Sequence, residues 1–152
     1  MVDSRVKGRT GENQAKEELK KYTKLAWERT PLSGALDAKH LLKGDLYVPG
    51  KDIKYCIEVK FYKDDHISSK LLTSINPQLI QWWEQTIREA EQINKEPLLL
   101  FKYNRSIWFA AHTNVDIQFL HANDHIKQLM LLPDEIYICK LSDFCTYEDF
   151  EL

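Results

Sequence analysis

The tetrapeptide Ile57-Glu58-Val59-Lys60 constrains this chain more than any other stretch, because it couples an alternating strand pattern to two opposite charges on one face. Gly44-Asp45 stands upstream of it, on the other side of a Pro49-Gly50 turn. With 44 to 48 and 55 to 61 as the arms of one hairpin, Glu58 and Lys60 share a face while Ile57 and Val59 enter the core, and Asp45 faces Glu58 across the ladder. Two carboxylates that close repel, and each is driven to protonate unless a cation sits between them. Hard oxygen ligands with room for water suit Mg²⁺, or Mn²⁺ in its place, better than Zn²⁺. A lysine two residues past the second carboxylate can orient and help deprotonate a metal-bound water, or steady charge on a phosphate under attack. Glu-x-Lys alone is common on solvated strand faces; the Gly-Asp at hairpin distance is what sets this triplet apart.

A chain of 152 residues is one domain by size and can bury its own core without staples. No apolar run reaches membrane-spanning length, and residues 1 to 10 are polar and basic with no hydrophobic signal region, so the expected location is cytoplasmic, with no membrane partner. Cys56, Cys139 and Cys145 lack metal-ligand spacing and read as reduced thiols. The net charge of -2 argues against a simple nucleic-acid-binding protein, yet it is unevenly spread. Residues 1 to 63 hold 14 Lys and Arg against 9 Asp and Glu, and 64 to 152 hold 7 against 14. The basic half is the one with the tetrapeptide. Lys16, Lys20, Lys21 and Lys24 read as the solvated face of a helix, whereas Arg5, Lys7 and Arg9 read as a short flexible arm before it, suited to clamping phosphate.

Ala15, Leu19, Tyr22 and Ala26 fit an amphipathic helix from Gly11 to about Trp27, with Glu12 in its first turn and a short strand following toward Arg29. A loop and a connector rich in Leu and Lys lead to Asp45, and the hairpin follows, with Lys54 to Tyr62 as its long arm. Residues 64 to 76 read as an irregular polar loop. Pro77 starts a second helix carrying Leu79, Trp83, Ile87, Ala90 and Ile93, and Pro97 is expected to end it. Leu98 to Lys102 and Ile107 to Ala111 read as strands joined by a turn at Asn104-Arg105, followed by a short helix near 123 to 131 and a strand at Ile136 to Lys140.

Lys7-Gly8 with Glu12, Arg29 near Ser33-Gly34, Gly44-Asp45, Cys56-Ile57-Glu58-Val59-Lys60 and Asp65-His66 together resemble the archaeal-type Holliday junction resolvases of the PD-(D/E)xK nuclease superfamily. The resemblance covers about residues 5 to 112 and is most specific from 55 to 66. It implies an α/β fold with a restriction-endonuclease-like core, a mixed central sheet flanked by helices in αβββαβ order. With the size of the chain, residues 1 to 152 then read as a single nuclease domain, its core at about 5 to 112 and an acidic C-terminal extension at 113 to 152 that has no clear family counterpart. It also implies a catalytic set of Glu12, Asp45, Glu58 and Lys60, with metal held by Asp45, Glu58 and the Val59 carbonyl. DNA contacts would come from Lys7, Arg9, Arg29, Ser33 and Lys102. The family works as a homodimer on branched DNA, which suits paired cuts in two symmetric strands. The stretch Ala35 to Lys43 is longer than the family's compact loop, so Asp37 competes with Asp45; Asp45 is preferred because it directly precedes Leu46-Tyr47-Val48.

Three readings of function stand at this point. One is a Mg²⁺-dependent, structure-selective DNA endonuclease that resolves four-way junctions by phosphodiester hydrolysis. The second keeps the chemistry but acts in repair, restriction or phage metabolism on ends or flaps, in the host cytoplasm if the source is a phage. The third is a non-catalytic RNA-binding module, suggested by Gly8-Arg9-Thr10-Gly11 as a KH-type GxxG loop. His121 and His125 share helical spacing but have no third zinc ligand nearby in sequence. Trp82, Trp83, Trp108 and Phe109 are candidates for stacking on bases; Trp83 reads as core and Trp82 as exposed at a dimer interface. Gln85 reads as a solvated helix position or a site glutamine.

Overall fold

Two strands buried on both faces form the spine of the structure. The computed structural model describes residues 4–31, 43–114, 116, 127–131 and 134–152. The elements are α1 (Ser4–Thr23), β1 (Glu28–Arg29), β2 (Leu46–Tyr47), β3 (Tyr55–Tyr62), α2 (Lys70–Thr73), α3 (Gln78–Gln92), β4 (Glu96–Tyr103), β5 (Phe109–His112), β6 (Leu129–Leu131), β7 (Ile136–Lys140) and α4 (Leu141–Tyr147). In β3 the run Tyr55 to Val59 is buried, and in β4 Leu98 to Phe101, as expected of strands covered by helices on both sides. These two pair in parallel, because α2 and α3 return the chain between them; every other pairing in the sheet, ordered β1-β2-β3-β4-β5-β7-β6, is antiparallel. The result is the restriction-endonuclease-like mixed sheet flanked by helices.

One face is covered by α1 and α4. Ala15, Leu19 and Trp27 meet Ile57, Val59, Leu98 and Leu100 there, with Phe144 and Phe150 completing the layer. The other face is covered by α3, whose Leu79, Trp82 and Trp83 pack on Leu99, Phe101, Ala111 and Ile138. Gly11 lets α1 approach β3 closely: a Cβ there would come 2.6 Å from the Phe61 Cβ.

Several boundaries differ from the sequence reading. The first helix starts by Ser4, so Arg5, Lys7 and Arg9 belong to its opening turns and form no flexible arm, and Glu12 lies deeper than the first turn. Gly8 to Gly11 is likewise helical, which removes the KH-type loop and with it the RNA-binding reading. The helix ends at Thr23, short of Trp27: Lys24 turns left-handed at φ 63 and Trp27 swings into the core, its indole N–H donating to Thr23 Oγ1 at 2.9 Å. The end of α3 owes nothing to Pro97. Asn94 takes φ 54, and the N–H groups of Asn94 and Lys95 return to the Glu91 and Ala90 carbonyls, a Schellman closure. Pro97 instead sits near the start of β4, where its missing N–H is tolerated. Trp82 is 4% exposed, so it is not the exposed residue expected at a dimer interface; Trp83 is core as expected.

Residues 70 to 73 of the expected loop form α2, and Leu129–Leu131, at the end of the expected 123 to 131 helix, form β6. Ser33, Asp37, His121 and His125 lie outside the described residues. Past residue 112, where an extension was expected, β7 inserts between β5 and β6, and α4 leads to Phe150 in the core. Among the described residues no helix is long and apolar enough to cross a membrane.

Phe144 is fully buried against Tyr55, His112 and Phe150. Phe144→Ala should therefore cost about 3 to 5 kcal/mol in chemical denaturation; a loss under about 1 kcal/mol would mean that the C-terminal elements are dispensable to the core.

Candidate active site

The β2–β3 hairpin places its charges by register. Leu46 pairs with Ile57, so Asp45 lies opposite Glu58. Gly44 makes the entry possible: its φ is +79, and a Cβ would meet the Ile57 carbonyl oxygen at 2.5 Å. The Asp45 N–H donates to the Ile57 carbonyl at 2.7 Å, the Thr30 N–H donates to the Asp45 carbonyl at 2.9 Å, and Asp45 Oδ2 accepts the Val59 N–H at 2.7 Å. Main chain and side chain of this residue are thus both held. In an extended strand the N–H and C=O of one residue point to the same edge, so the Val59 carbonyl lies on the Asp45 side.

Glu58 is 5% exposed. Its Oε1 accepts Lys60 Nζ at 3.2 Å from the same strand and Gln85 Nε2 at 3.1 Å from α3. Burial, then the charge of Asp45, pushes the Glu58 carboxyl up to about 9, with Lys60 pulling the other way. Burial likewise raises Asp45, to about 7, against the lowering hydrogen bond from Val59. Glu89, one turn beyond Gln85, takes a hydrogen bond from the Gln85 amide at 3.4 Å, lies within hydrogen-bonding reach of Glu58 and adds to the repulsion on both carboxyls. The sequence reading did not single out Glu89. Its four-residue spacing from Gln85 was the available signal.

The expected residues divide by location. Lys7, Glu12, Asp45, Glu58, Val59 and Lys60 all line one cavity of about 610 Å³. Lys7 Nζ donates to Asn104 Oδ1 at 2.8 Å and sits 4.8 Å over the Phe61 ring. Glu12 is paired at 2.8 Å with Arg29 Nε, joining α1 to β1. Lys102 is on the far side of Phe61, 5.4 Å over its ring and bonded to the Ser106 carbonyl at 2.6 Å, where it lines a larger groove of about 810 Å³ beside α1. Arg9 is exposed on α1 and lines neither.

Two carboxyl groups held against burial and against one another fit a divalent cation, which would relieve both costs at once. The donors are hard oxygens, and no cluster of three His, Cys, Asp or Glu suited to a metal occurs among the described residues. Any ion held here would fill its remaining positions with water or substrate oxygens, the habit of Mg²⁺ and Mn²⁺ rather than of structural zinc.

A mixed sheet carrying an aspartate and a Glu-x-Lys on adjacent hairpin strands defines the PD-(D/E)xK nucleases. The chain belongs to a family within that class: residues 3–144 match the family described as "Phage putative PDDEXK endonuclease". It is 49% identical over 118 residues to Protein D14 of Escherichia phage T5, an alignment spanning 76% of this chain and 74% of that protein. Among solved structures it is similar to Hjc of Archaeoglobus fulgidus, a Holliday junction resolvase, with a TM-score of 0.43 and 17% identity over 90% of this chain and 91% of that one.

The raised carboxyls carry a pH signature. From its ordinary 4.5 up to about 9, Glu58 keeps in the folded chain a proton that the unfolded chain releases, so stability falls as pH rises through that window. In EDTA the melting temperature should decline from about pH 5 to 9, at roughly 2 to 4 °C per kcal/mol. Glu58→Gln should decline less, and equal slopes for the two proteins would contradict the assignment.

Proposed function

We propose that this protein is a metal-dependent DNA endonuclease that cuts branched DNA, with the four-way junction as its substrate. The observation that carries the chemistry is the convergence of Asp45, Glu58 and Lys60 in one cavity of a chain that belongs to an endonuclease family. A divalent cation, Mg²⁺ with Mn²⁺ as its substitute, would be held by Asp45, Glu58 and the Val59 carbonyl and would supply Lewis acidity toward the scissile phosphate. Lys60, 17% exposed, keeps its charge little screened and aims it at the negative charge that builds on phosphorus as water attacks. Gln85 steadies Glu58 from α3, and Glu89 beside it adds to the negative charge that the cation would balance. Glu12 holds Arg29 toward the DNA backbone, and Lys7, already at the cavity rim, takes a neighbouring phosphate. Ser33, Arg9 and Lys102 stand as backbone contacts further out. The 49% identity to a phage protein supports a place in phage DNA metabolism, inside the host cytoplasm.

The proposal is tested with a labelled four-way junction, a flap and a linear duplex, each with Mg²⁺ and with EDTA. Wild type should cut the junction only with metal, and Glu58→Gln or Asp45→Asn should bind it without cutting. Lys60→Ala should lose about 3 to 4 kcal/mol of transition-state stabilisation, a rate loss of roughly 10²- to 10³-fold. Mg²⁺ should also raise the melting temperature of wild type and leave that of Asp45→Asn unmoved, a readout independent of turnover. Cutting in EDTA would overturn the metal; cutting of the flap alone would overturn the junction.

Paired cuts in two symmetric strands call for two sites, so we propose a two-fold homodimer as the active form. Light scattering should give twice the 17.9 kDa chain mass, and mixing wild type with Glu58→Gln should turn paired cuts into single nicks. A monomer that makes paired cuts would exclude it.

A further inference from the structure

Tyr62 ends β3 two residues past Lys60, so the alternation of the strand sets its side chain on the face of Glu58 and Lys60. It lines the same cavity as Asp45 and Glu58, about 6.6 Å along the strand from Lys60. Unlike the rest of the aromatic cluster behind it, it is 46% exposed. Its ring lies 4.8 Å from the buried Trp82 at an interplanar angle of 31°, and His66 closes on Trp82 edge-on at 4.4 Å. His66 turns its Nε2 into this packing with no hydrogen-bond partner, and burial lowers its pKa, so it serves there as a neutral ring. One side of the tyrosine is therefore fixed on a rigid stack, and part of it faces the water above the site. On either side of the ring stand polar groups suited to a nucleic-acid backbone: Lys63, exposed on the next residue, and Lys7 with Asn104 across the cavity.

We infer that Tyr62 is a stacking platform that takes an unstacked base of the DNA strand being cut. The inference rests on the nuclease reading of this site. A phosphate at Lys60 leaves its neighbouring base within reach of a ring two residues further along β3. A base inside a continuous duplex has stacking neighbours on both sides and gains nothing from a third surface; a base at a branch point or in an unpaired arm has lost one, and the tyrosine replaces it. Stacking accepts every base because each has a π face, so the platform reads the loss of a neighbour and no particular sequence. Branch selectivity is then built into the cleavage site itself, two residues along β3 from the lysine. Trp82, which the sequence offered as a stacking residue, acts as the floor beneath Tyr62.

The test uses the full-length protein in EDTA, so that DNA is bound and left intact, with a four-way junction, a flap and a paired duplex of the same sequence. Tyr62→Leu keeps Trp82 covered while removing the π face; Tyr62→Trp keeps both; melting temperatures confirm that each is folded. Tyr62→Leu should bind the junction and the flap about 5- to 150-fold more weakly, the equivalent of the roughly 1 to 3 kcal/mol of one base–aromatic stack, with duplex affinity unchanged and Tyr62→Trp near wild type. 5-Iodouracil at the nucleotide beside the branch should crosslink to Tyr62 in wild type and lose that crosslink in Tyr62→Leu. Unchanged affinity of Tyr62→Leu for branched DNA, or an equal loss on paired duplex, would overturn the platform. If the flap is preferred to the junction and that preference falls with Tyr62→Leu, the platform stands while the four-way junction falls as the substrate.

Discussion

Two carboxyl groups forced together in a poorly hydrated place set the terms for the rest of this structure. Asp45 and Glu58 face one another because β2 and β3 pair in a single register, and that register depends on a glycine at position 44 that can turn left-handed while passing over the backbone of Ile57. A one-residue slip would carry Glu58 and Lys60 to the opposite face and send Ile57 and Val59 out of the core. The apolar side of β3 therefore guards the polar side. Hydrophobic burial of Ile57 and Val59 against α1 is what keeps the acidic pair where it is, at the cost of holding both groups above their ordinary pKa range.

Around that pair the helices divide the remaining work. From one face α1 brings Glu12 and Lys7 to the cavity, and it can come so near because Gly11 has no side chain to strike Phe61. From the other face α3 brings Gln85 and Glu89 against Glu58 while its apolar stripe anchors Trp82 and Trp83 beneath the sheet. The same crossover that makes β3 and β4 parallel thus also delivers the second set of polar groups. A site assembled from one hairpin and two helices on opposite faces is rigid because no member can move without disturbing a core layer.

The sequence alone carried the hairpin, the Asp45, Glu58 and Lys60 cluster and the class of chemistry, since each depended on local rules: period-2 alternation, a Pro-Gly turn and the mutual repulsion of near carboxylates. It also carried the limits of β7 and the strand at Leu46-Tyr47 that directly follows Asp45. It failed where the deciding partner was remote. Gly8 and Gly11 weaken helix propensity, so the first helix read as starting late; packing of α1 on β3 overrides that cost. Pro97 read as a stop, but α3 is closed by a left-handed Asn94 and the proline enters a strand. Trp83 read as core and Trp82 as exposed, and only the position of Tyr62 and His66 shows that Trp82 is covered as well. What tertiary structure alone decided was which charges meet: Lys7 with Asn104, Glu12 with Arg29, Gln85 with Glu58, and Lys102 turned to the other side of Phe61. Such pairs join residues far apart in the chain, and their meeting follows from how helices stack on a sheet, a property of the whole core that no local spacing encodes.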